Sequence, residues 1–555
     1  MSTDRPPKPR AWLPLALGTA LMLGAYLGQG LQREEVIWNG HGGIFTPSGQ
    51  VLSSLLDRID QMYVDPVDRN RLTDAAIEAI IDELDPHSDW FSMEELAAMA
   101  EPMEGNFEGI GVEFLLQDDT IMVVTPIPGG PSAEAGIEAG DRIVSVDDSV
   151  IAGTGLTNAK VMDLLKGPAG TKVQLGLFRP GANEGDSIAV QIKRGRIPIH
   201  SVVSTELLEQ ATGYIKVIRF ARNTHEEFDV ALANLREAGA ERFVIDLRGN
   251  GGGYLHAVTP MVEHFLAEGD LVVYTEGAAQ PRREYVTGRD GDCRDEPLVV
   301  LVDEGSASAS EIFAGAIQDH DRGAIVGRRT FGKGLVQEEF PVADRGALRL
   351  TVARYYTPSG RSIQRPYGDG VDYEDEWVER EERGEYLEED SILRIDSLSF
   401  QTAGGRLVYG GGGIAPDVFV PLDTGLFPAS FRELVYAGRI REHAFDLCGR
   451  QRDTFDAFGS AGAFLNAVAG GLDLGSDGLI DETYLPDEDR SRSTLLTRRR
   501  LAERIAHNIW GESAGHRAAL AWDPEFERAL SAFSTMEELL SASDGSPEVP
   551  ETQAD

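Results

Sequence analysis

Positive charge is scarce in this chain, and lysine is scarcer still. Of 51 Lys and Arg residues only seven are lysines, at positions 8, 160, 166, 172, 193, 216 and 333, against 92 Asp and Glu, which leaves a formal charge of −41. A polyanion needs a basic surface that this balance does not supply, which argues against nucleic acid as a partner. An acidic, lysine-poor surface suits a protein kept hydrated in concentrated salt, where screening removes self-repulsion; a GC-rich genome that favours Arg codons leaves the same bias. Cysteine is nearly missing. Cys293 and Cys448 are too few for a disulfide scaffold or a Cys-rich metal site, although a single bridge between them stays open. Apolar residues are not lacking: 42% hydrophobic content over 555 residues supports folded cores despite the charge, and the length calls for several domains.

One long apolar run is present, at 11–28, after Arg5, Lys8 and Arg10. It is near the lower length limit for a membrane span, and the positive flank orients the remaining chain outward. No clear Ala-x-Ala site follows, so an uncleaved signal anchor is favoured over a cleaved signal peptide. Residues 1–32 are thus expected to be a cytoplasmic tip and single inner-membrane span, with the bulk of the chain exported to the periplasm. In the helical region 33–100, Val51, Leu55 and Ile59, then Ala76, Ile77, Ile80, Ile81 and Leu84, predict packing helices on either side of the turn Val64-Asp65-Pro66-Val67. Asp85-Pro86-His87-Ser88 ends the second, and His87 reads as a capping or turn residue.

Between 101 and 193 short apolar strands at 121–124, 142–146 and 173–178 alternate with Gly/Pro turns, with a helix at 157–165. Gly109-Ile110-Gly111-Val112 puts a glycine loop directly before a strand, where backbone amides can cradle a carboxylate and a strand edge can accept an extended peptide. With Gly130-Pro131-Ser132-Ala133-Glu134-Ala135-Gly136-Ile137 and Ala139-Gly140-Asp141-Arg142-Ile143, the stretch resembles a PDZ domain, a module that captures protein C-termini. From 194 to 424, strands at 213–217, 243–247 and 298–302 alternate with helices at 224–239, 254–266 and 310–319, an order that predicts an α/β core. The acidic stretch within 367–400 reads as a solvated insertion. Residues 425–540 are expected to be a helical accessory domain, and 541–555 a disordered tail.

Chemistry concentrates at two turns and a loop. Glu304-Gly305-Ser306-Ala307-Ser308-Ala309-Ser310 joins an apolar strand to an apolar helix, which exposes a side chain beside the free amides of the first helical turn. Ordinary capping by any of the three serines accounts for the same residues. Thr330-Phe331-Gly332-Lys333-Gly334 carries one of the seven lysines among glycines and apolar neighbours, where desolvation would lower its pKa and let it deprotonate a serine. Read as strand, 333–337 sets Gln337 on the same face as Lys333, able to orient the amine. A second glycine turn, Gly249-Asn250-Gly251-Gly252-Gly253, lacks the Lys-Ser/Thr of a P-loop and reads as a close-approach loop supplying a backbone donor.

The ordered blocks Tyr63-Val64-Asp65-Pro66-Val67, Leu84-Asp85-Pro86-His87-Ser88, Gly109-Ile110-Gly111-Val112, Asp246-Leu247-Arg248, Gly305-Ser306-Ala307-Ser308-Ala309-Ser310-Glu311, Phe331-Gly332-Lys333-Gly334, Tyr355-Tyr356-Thr357-Pro358-Ser359-Gly360-Arg361-Ser362-Ile363-Gln364 and Gly413-Ile414-Ala415-Pro416-Asp417 resemble the carboxyl-terminal processing proteases. These form the tail-specific branch of the S41 serine peptidases, and the likeness runs over about 47–422. It implies a multidomain α/β and α+β fold in which a PDZ-like domain precedes a crotonase/Clp-protease-like core, with N-terminal helices and a C-terminal helical extension. It implies Ser308 as nucleophile, Lys333 as general base and Gln337 as the residue that positions it. The amides of Ala309 and Gly252 would form the oxyanion hole, and Gly109, Ile110, Gly111 and Val112 the carboxylate loop. No metal or cofactor is implied. Partners would be unfolded or C-terminally tagged proteins and, through the anchor, the inner membrane, with room for a homo-oligomer or an adaptor. The glycine turn and Leu165-Lys166-Gly167 depart from the common Asn-Asn-Pro-Gly-Gly and Leu-Arg-Gly of relatives. A scaffold that binds tails without cutting is the alternative from another class. A Ser/His/Asp triad using His320 and Asp319 is disfavoured, because twelve residues of helix would carry His320 about 18 Å from Ser308.

Overall fold

A computed structural model describes residues 47–179, 188–342, 345–368, 373, 375–423, 428–479 and 487–541. The expected anchor and all of the expected disordered tail after Ser541 lie outside the described residues. The chain divides into two compact units, Met1–Ile80 and Ile81–Asp555. In the first, α1 (Pro47–Met62) and most of α2 (Arg69–Ile81) form on either side of the expected turn. Their apolar residues are less covered than the sequence suggested, with Val51 and Leu55 more than half exposed.

The second unit begins with β1 (Asp89–Ser92) and α3 (Met93–Glu104). The PDZ-like module comes next: β2 (Asn106–Gly109), β3 (Val112–Gln117), β4 (Thr120–Pro126), β5 (Arg142–Val146), α4 (Asn158–Leu165), β6 (Lys172–Phe178) and β7 (Ile188–Lys193). Its sheet runs β3-β4-β5-β6-β7, so β3 is an edge strand beside the glycine loop, and α4 buries Val161 and Leu165 in the module's core. Strand β8 (Gly195–Pro198) pairs back with β2 and leads into the core.

The core is a sheet of β9 (Val202–Leu208), β10 (Thr212–Val217), β11 (Arg242–Asp246), β14 (Leu298–Val302), β15 (Ala324–Gly327) and β18 (Val418–Phe419), in that order and parallel from β10 onward. Helices α5 (Thr224–Glu237), α6 (Leu255–Glu263) and α7 (Ala309–Asp319) connect its strands and bury Phe228, Val258, Met261 and Phe313 in one cluster. A second sheet holds β1, β12 (Leu271–Glu276), β13 (Arg283–Val286), β16 (Leu335–Val342) and β17 (Gly346–Tyr356). Between β17 and β18, α8 (Glu376–Glu382) lies in the acidic insertion. That insertion is not simply solvated. Arg380 and Glu385 are fully buried, and Glu385 pairs with Arg329 at 2.6 Å while Glu376 pairs with Arg365 at 2.5 Å.

The C-terminal helices α9 (Ala429–Tyr436), α10 (Arg439–Arg450), α11 (Ala461–Ala469) and α12 (Asp487–Trp510) share a cluster of their own. The expectation of a single accessory domain running to 540 fails at its far end. Beyond α13 (Glu512–Leu520), α14 (Pro524–Ala532) packs Phe526 and Ala529 onto Val244, Val299, Leu301 and Val326 of the core sheet. A parallel sheet needs cover on both faces, which is why β14 reads Leu-Val-Val-Leu-Val and is buried throughout; α14 is part of that cover. Cys293 and Cys448 are both buried free thiols, so the bridge left open by the sequence does not form.

Candidate active site

The three serines of the turn after β14 divide their work. Ser306 Oγ donates to the Leu247 carbonyl at 2.9 Å, and Ser310 Oγ to the Asn250 carbonyl at 2.8 Å. Both are fully buried, and both stitch this turn to the glycine turn after β11. Ser308 takes no part in the stitching. It heads α7 with φ 55° and ψ −111°, a backbone state that costs a non-glycine residue about 1–3 kcal/mol.

The glycine turn lies directly against it. Gly252 has φ +96°, and a Cβ there would stand 2.6 Å from the Ala307 carbonyl, 2.7 Å from Ser308 Cβ and 3.0 Å from the Ala309 nitrogen, so no other residue fits. Ala309 is the first residue of α7, where a backbone amide has no partner within the helix. The amide of Gly252, by contrast, donates to Asn250 Oδ1 at 2.9 Å. It serves an oxyanion only if that bond opens, whereas Gly251, one residue earlier, is exposed.

Lys333 is half-buried in the loop after β15 and precedes β16 rather than lying within it. Burial first, then the nearby Arg349 charge, hold its ammonium below the usual lysine range, against opposite pulls from Glu311 and Asp85. Because Lys333 is outside the strand and the β16/β17 register shifts between Val336 and Gln337, the alternation that put Gln337 on the lysine's face does not operate. Gln337 Nε2 instead donates to Thr351 Oγ1 at 3.3 Å; Thr351 Oγ1 donates to Asp85 at 2.9 Å. Asp85 also takes the amides of His87 and Ser88, both at 3.0 Å, and the Ser88 hydroxyl at 2.6 Å. Burial pushes its carboxyl up, but these hydrogen bonds outweigh burial and hold it low. The Asp85-Pro86-His87-Ser88 turn is therefore both the expected cap and a neighbour of the lysine. His87 meets the Tyr373 hydroxyl at 2.8 Å, and burial followed by the Lys333 charge lowers its imidazole to about 4, so it is neutral near pH 7.

Sequence reasoning missed Glu311 and Tyr355. Glu311 is fully buried beneath Ser308 and accepts hydrogen bonds from the amides of Ser308, Gly332 and Lys333 and from the Thr330 hydroxyl. Burial raises its carboxyl to about 7. The signal that could have found it is the Ser-x-x-Glu spacing of a capping box at Ser308 and Glu311. The triad using His320 and Asp319 has no support: His320 Nε2 lies 2.7 Å from the Leu271 carbonyl, and Asp319 pairs with buried Arg361 at 2.7 Å.

In the PDZ-like module, Gly109 ends β2 opposite Gly195, and Val112 opens β3. The Ile110 carbonyl accepts from the Ser132 amide at 3.0 Å and its hydroxyl at 2.7 Å, and the Gly111 carbonyl accepts from the Ile127 amide at 3.1 Å. In a trans peptide the N–H points opposite the C=O, so the amides of Gly111 and Val112 face away from that anchoring turn, as a carboxylate cradle requires. Among the described residues no group of His, Cys, Asp and Glu has a metal-holding arrangement, and no helix is long and apolar enough to cross a membrane.

Residues 211–374 match Peptidase family S41, and residues 122–179 match the PDZ domain. The chain is 38% identical over 315 residues to the carboxy-terminal-processing protease of Bartonella bacilliformis, an overlap of 56% of this chain and 71% of that protein. It is 36% identical over 319 residues to the chloroplastic C-terminal processing peptidase of Tetradesmus obliquus, covering 54% and 68%. Against the carboxy-terminal processing protease CtpB of Bacillus subtilis it is 33% identical over 310 residues, covering 55% and 64%. With a PDZ domain ahead of an S41 core and this level of identity, the chain belongs to the carboxy-terminal processing proteases, serine peptidases of family S41.

Proposed function

We propose that this serine peptidase cuts protein chains by a Ser308–Lys333 dyad after capturing their C-termini at Gly109–Val112. The observation that carries the reading is the pairing of Ser308 and Lys333 on one buried carboxylate, with Ser308 the serine of its turn left free of stitching duty. Neutral Lys333 removes the Ser308 proton as Oγ attacks the scissile carbonyl. The oxyanion is met by the Ala309 amide together with one from Gly251 or Gly252. Collapse expels the new amino terminus and leaves an acyl-enzyme, which water then resolves. Gln337 acts on the lysine by swinging from Thr351, a side-chain rotation that substrate binding would favour. Edge strand β3 takes the substrate tail as an added strand, its terminal carboxylate on the loop amides. The apolar run at 11–28 supports an inner-membrane anchor with the enzyme in the periplasm, and fractionation of cells followed by protease access to spheroplasts tests that address.

An unfolded substrate ending in an apolar residue should be cleaved by the wild type and not by Ser308→Ala or Lys333→Ala, with all three proteins folded. Cleavage retained by either variant contradicts the dyad. Binding without cleavage by the wild type would instead favour a tail-binding scaffold. Amidating the substrate's C-terminus should slow cleavage, and equal rates contradict capture of a carboxylate.

A further inference from the structure

The backbones that carry Ser308 and Lys333 are held together by two side chains for which the dyad alone has no use. A single oxygen of Glu311, Oε2, accepts from the Ser308 amide at 2.8 Å and the Lys333 amide at 2.9 Å. The other, Oε1, accepts from the Gly332 amide at 2.7 Å and the Thr330 hydroxyl at 2.5 Å. On the carbonyl side, the Tyr355 hydroxyl lies 2.6 Å from the Lys333 oxygen and 3.1 Å from the Ser308 oxygen. Both side chains are essentially without solvent access.

Capping of α7 requires only the bond from the Ser308 amide to Glu311. The other three donors come from the loop 19 to 22 residues further on, so the carboxylate serves that loop as much as its own helix. Three of the four donors are amides, which cannot accept. The fourth, Thr330 Oγ1, already accepts from the Ile414 amide at 2.7 Å and so turns its hydrogen to Glu311. The site is therefore built for the ionised carboxylate. Such a group has a large desolvation cost when it lacks a cation, and among the described residues Glu311 forms no ion pair within 4 Å. Four converging donors offset part of that cost, and they do so only with the serine turn and the lysine loop in this one relative position.

We propose that Glu311 and Tyr355 are positioning residues, a two-sided clamp that fixes the nucleophile turn against the base loop. The clamp rests on the Ser308–Lys333 reading. It sets kcat through the approach of the two reacting side chains and leaves substrate capture, which takes place on the PDZ-like module, unaffected.

The test uses the full chain and the unfolded substrate, with Ser308→Ala and Lys333→Ala as references. Glu311→Ala should lower kcat about 100-fold and Tyr355→Phe about tenfold, with KM within about twofold of wild type, as expected when alignment rather than binding is lost. Glu311→Gln should recover part of the loss in Glu311→Ala, since its amide oxygen can still meet two of the donors. Thermal melts establish that each variant is folded. If Glu311→Ala does not fold, Tyr355→Phe and Glu311→Gln decide, and wild-type kcat in both overturns the clamp. Inactive reference variants beside fully active Glu311 and Tyr355 variants overturn the clamp alone; active reference variants overturn the dyad beneath it. A rise in KM with unchanged kcat also overturns the clamp, because it would assign these residues to binding.

Discussion

At the scale of single residues, the site depends on which hydroxyls and carboxylates are already committed. Ser306 and Ser310 are tied to the glycine turn, so Ser308 is singled out by exclusion as well as by its strained backbone. Two ionisations would control the proposed dyad in the same direction. Lys333, faced by Arg349, Glu311, Asp85 and His87, must be neutral, and its lowered pKa brings that state nearer to neutral pH. Glu311, facing Lys333, Tyr355 and the four donors, must be ionised, and its carboxyl titrates at about 7. Acid both protonates the amine and neutralises the clamp, so kcat should rise with pH through about 7 as Glu311 ionises and level off only once Lys333, held below the usual lysine range, is deprotonated as well. A pH–rate profile that peaks on the acid side of 7 contradicts this assignment. The sequence made Lys333 conspicuous because so few lysines compete with it. Glu311 was legible only as the end of a Ser-x-x-Glu capping box, and Tyr355 not at all, because their contacts to the lysine loop and the serine turn reach backbone groups up to 47 residues away, which no local pattern reports.

At the scale of elements, the buried strands β5, β10, β11 and β14 were legible to within a residue or two, because a strand covered on both faces or set between turns reads as a short apolar run. The β16/β17 hairpin was not. Consecutive Glu338 and Glu339 are both exposed, one on each face of β16, and the register shifts at Gln337, so neither period 2 nor apolar content announces it. The reading of Lys333 as a strand residue failed for the same reason. Helix α14 falls in the helical region expected at 425–540, but its place against the protease sheet was not legible. Its Glu525 pairs with Arg248 beside the glycine turn at 2.9 Å and with Arg328 next to the lysine loop, while Arg248 also pairs with Asp523 at 2.7 Å. Arg248 keeps Asp246 and Asp523 and Arg328 keeps Glu304, so Glu525→Ala removes charged hydrogen bonds without stranding a charge and should destabilise the core by about 1.5–3 kcal/mol in denaturant unfolding. A change within about 0.5 kcal/mol, as for an ordinary surface site, would show that α14 is an appendage rather than cover for the sheet.

At the scale of the whole molecule, the C-terminal helices join the two functional modules of the second unit. His507 of α12 reaches Glu113 on the edge strand β3 at 3.0 Å, Phe445 of α10 packs on Leu115, Met122 and Val124 of the PDZ-like sheet, and α14 covers the protease sheet. On another side, Lys166 at the end of α4 pairs with Glu101 of α3, and β1, just before α3, pairs with β17, which carries Thr351 and Tyr355. The module order was readable from glycine-rich blocks and strand–helix alternation; these cross-connections were not, since each joins charged or apolar groups tens to hundreds of residues apart. The chemistry proposed for this framework is the attack of Ser308 made nucleophilic by Lys333. The most direct measurement is intact-mass analysis after exposure to a fluorophosphonate, which labels a serine only when its Oγ is activated to displace fluoride. One adduct on the wild type, mapped to Ser308 by peptide sequencing and lost in folded Lys333→Ala, is the predicted result; an adduct at another residue, or equal labelling without Lys333, contradicts the account.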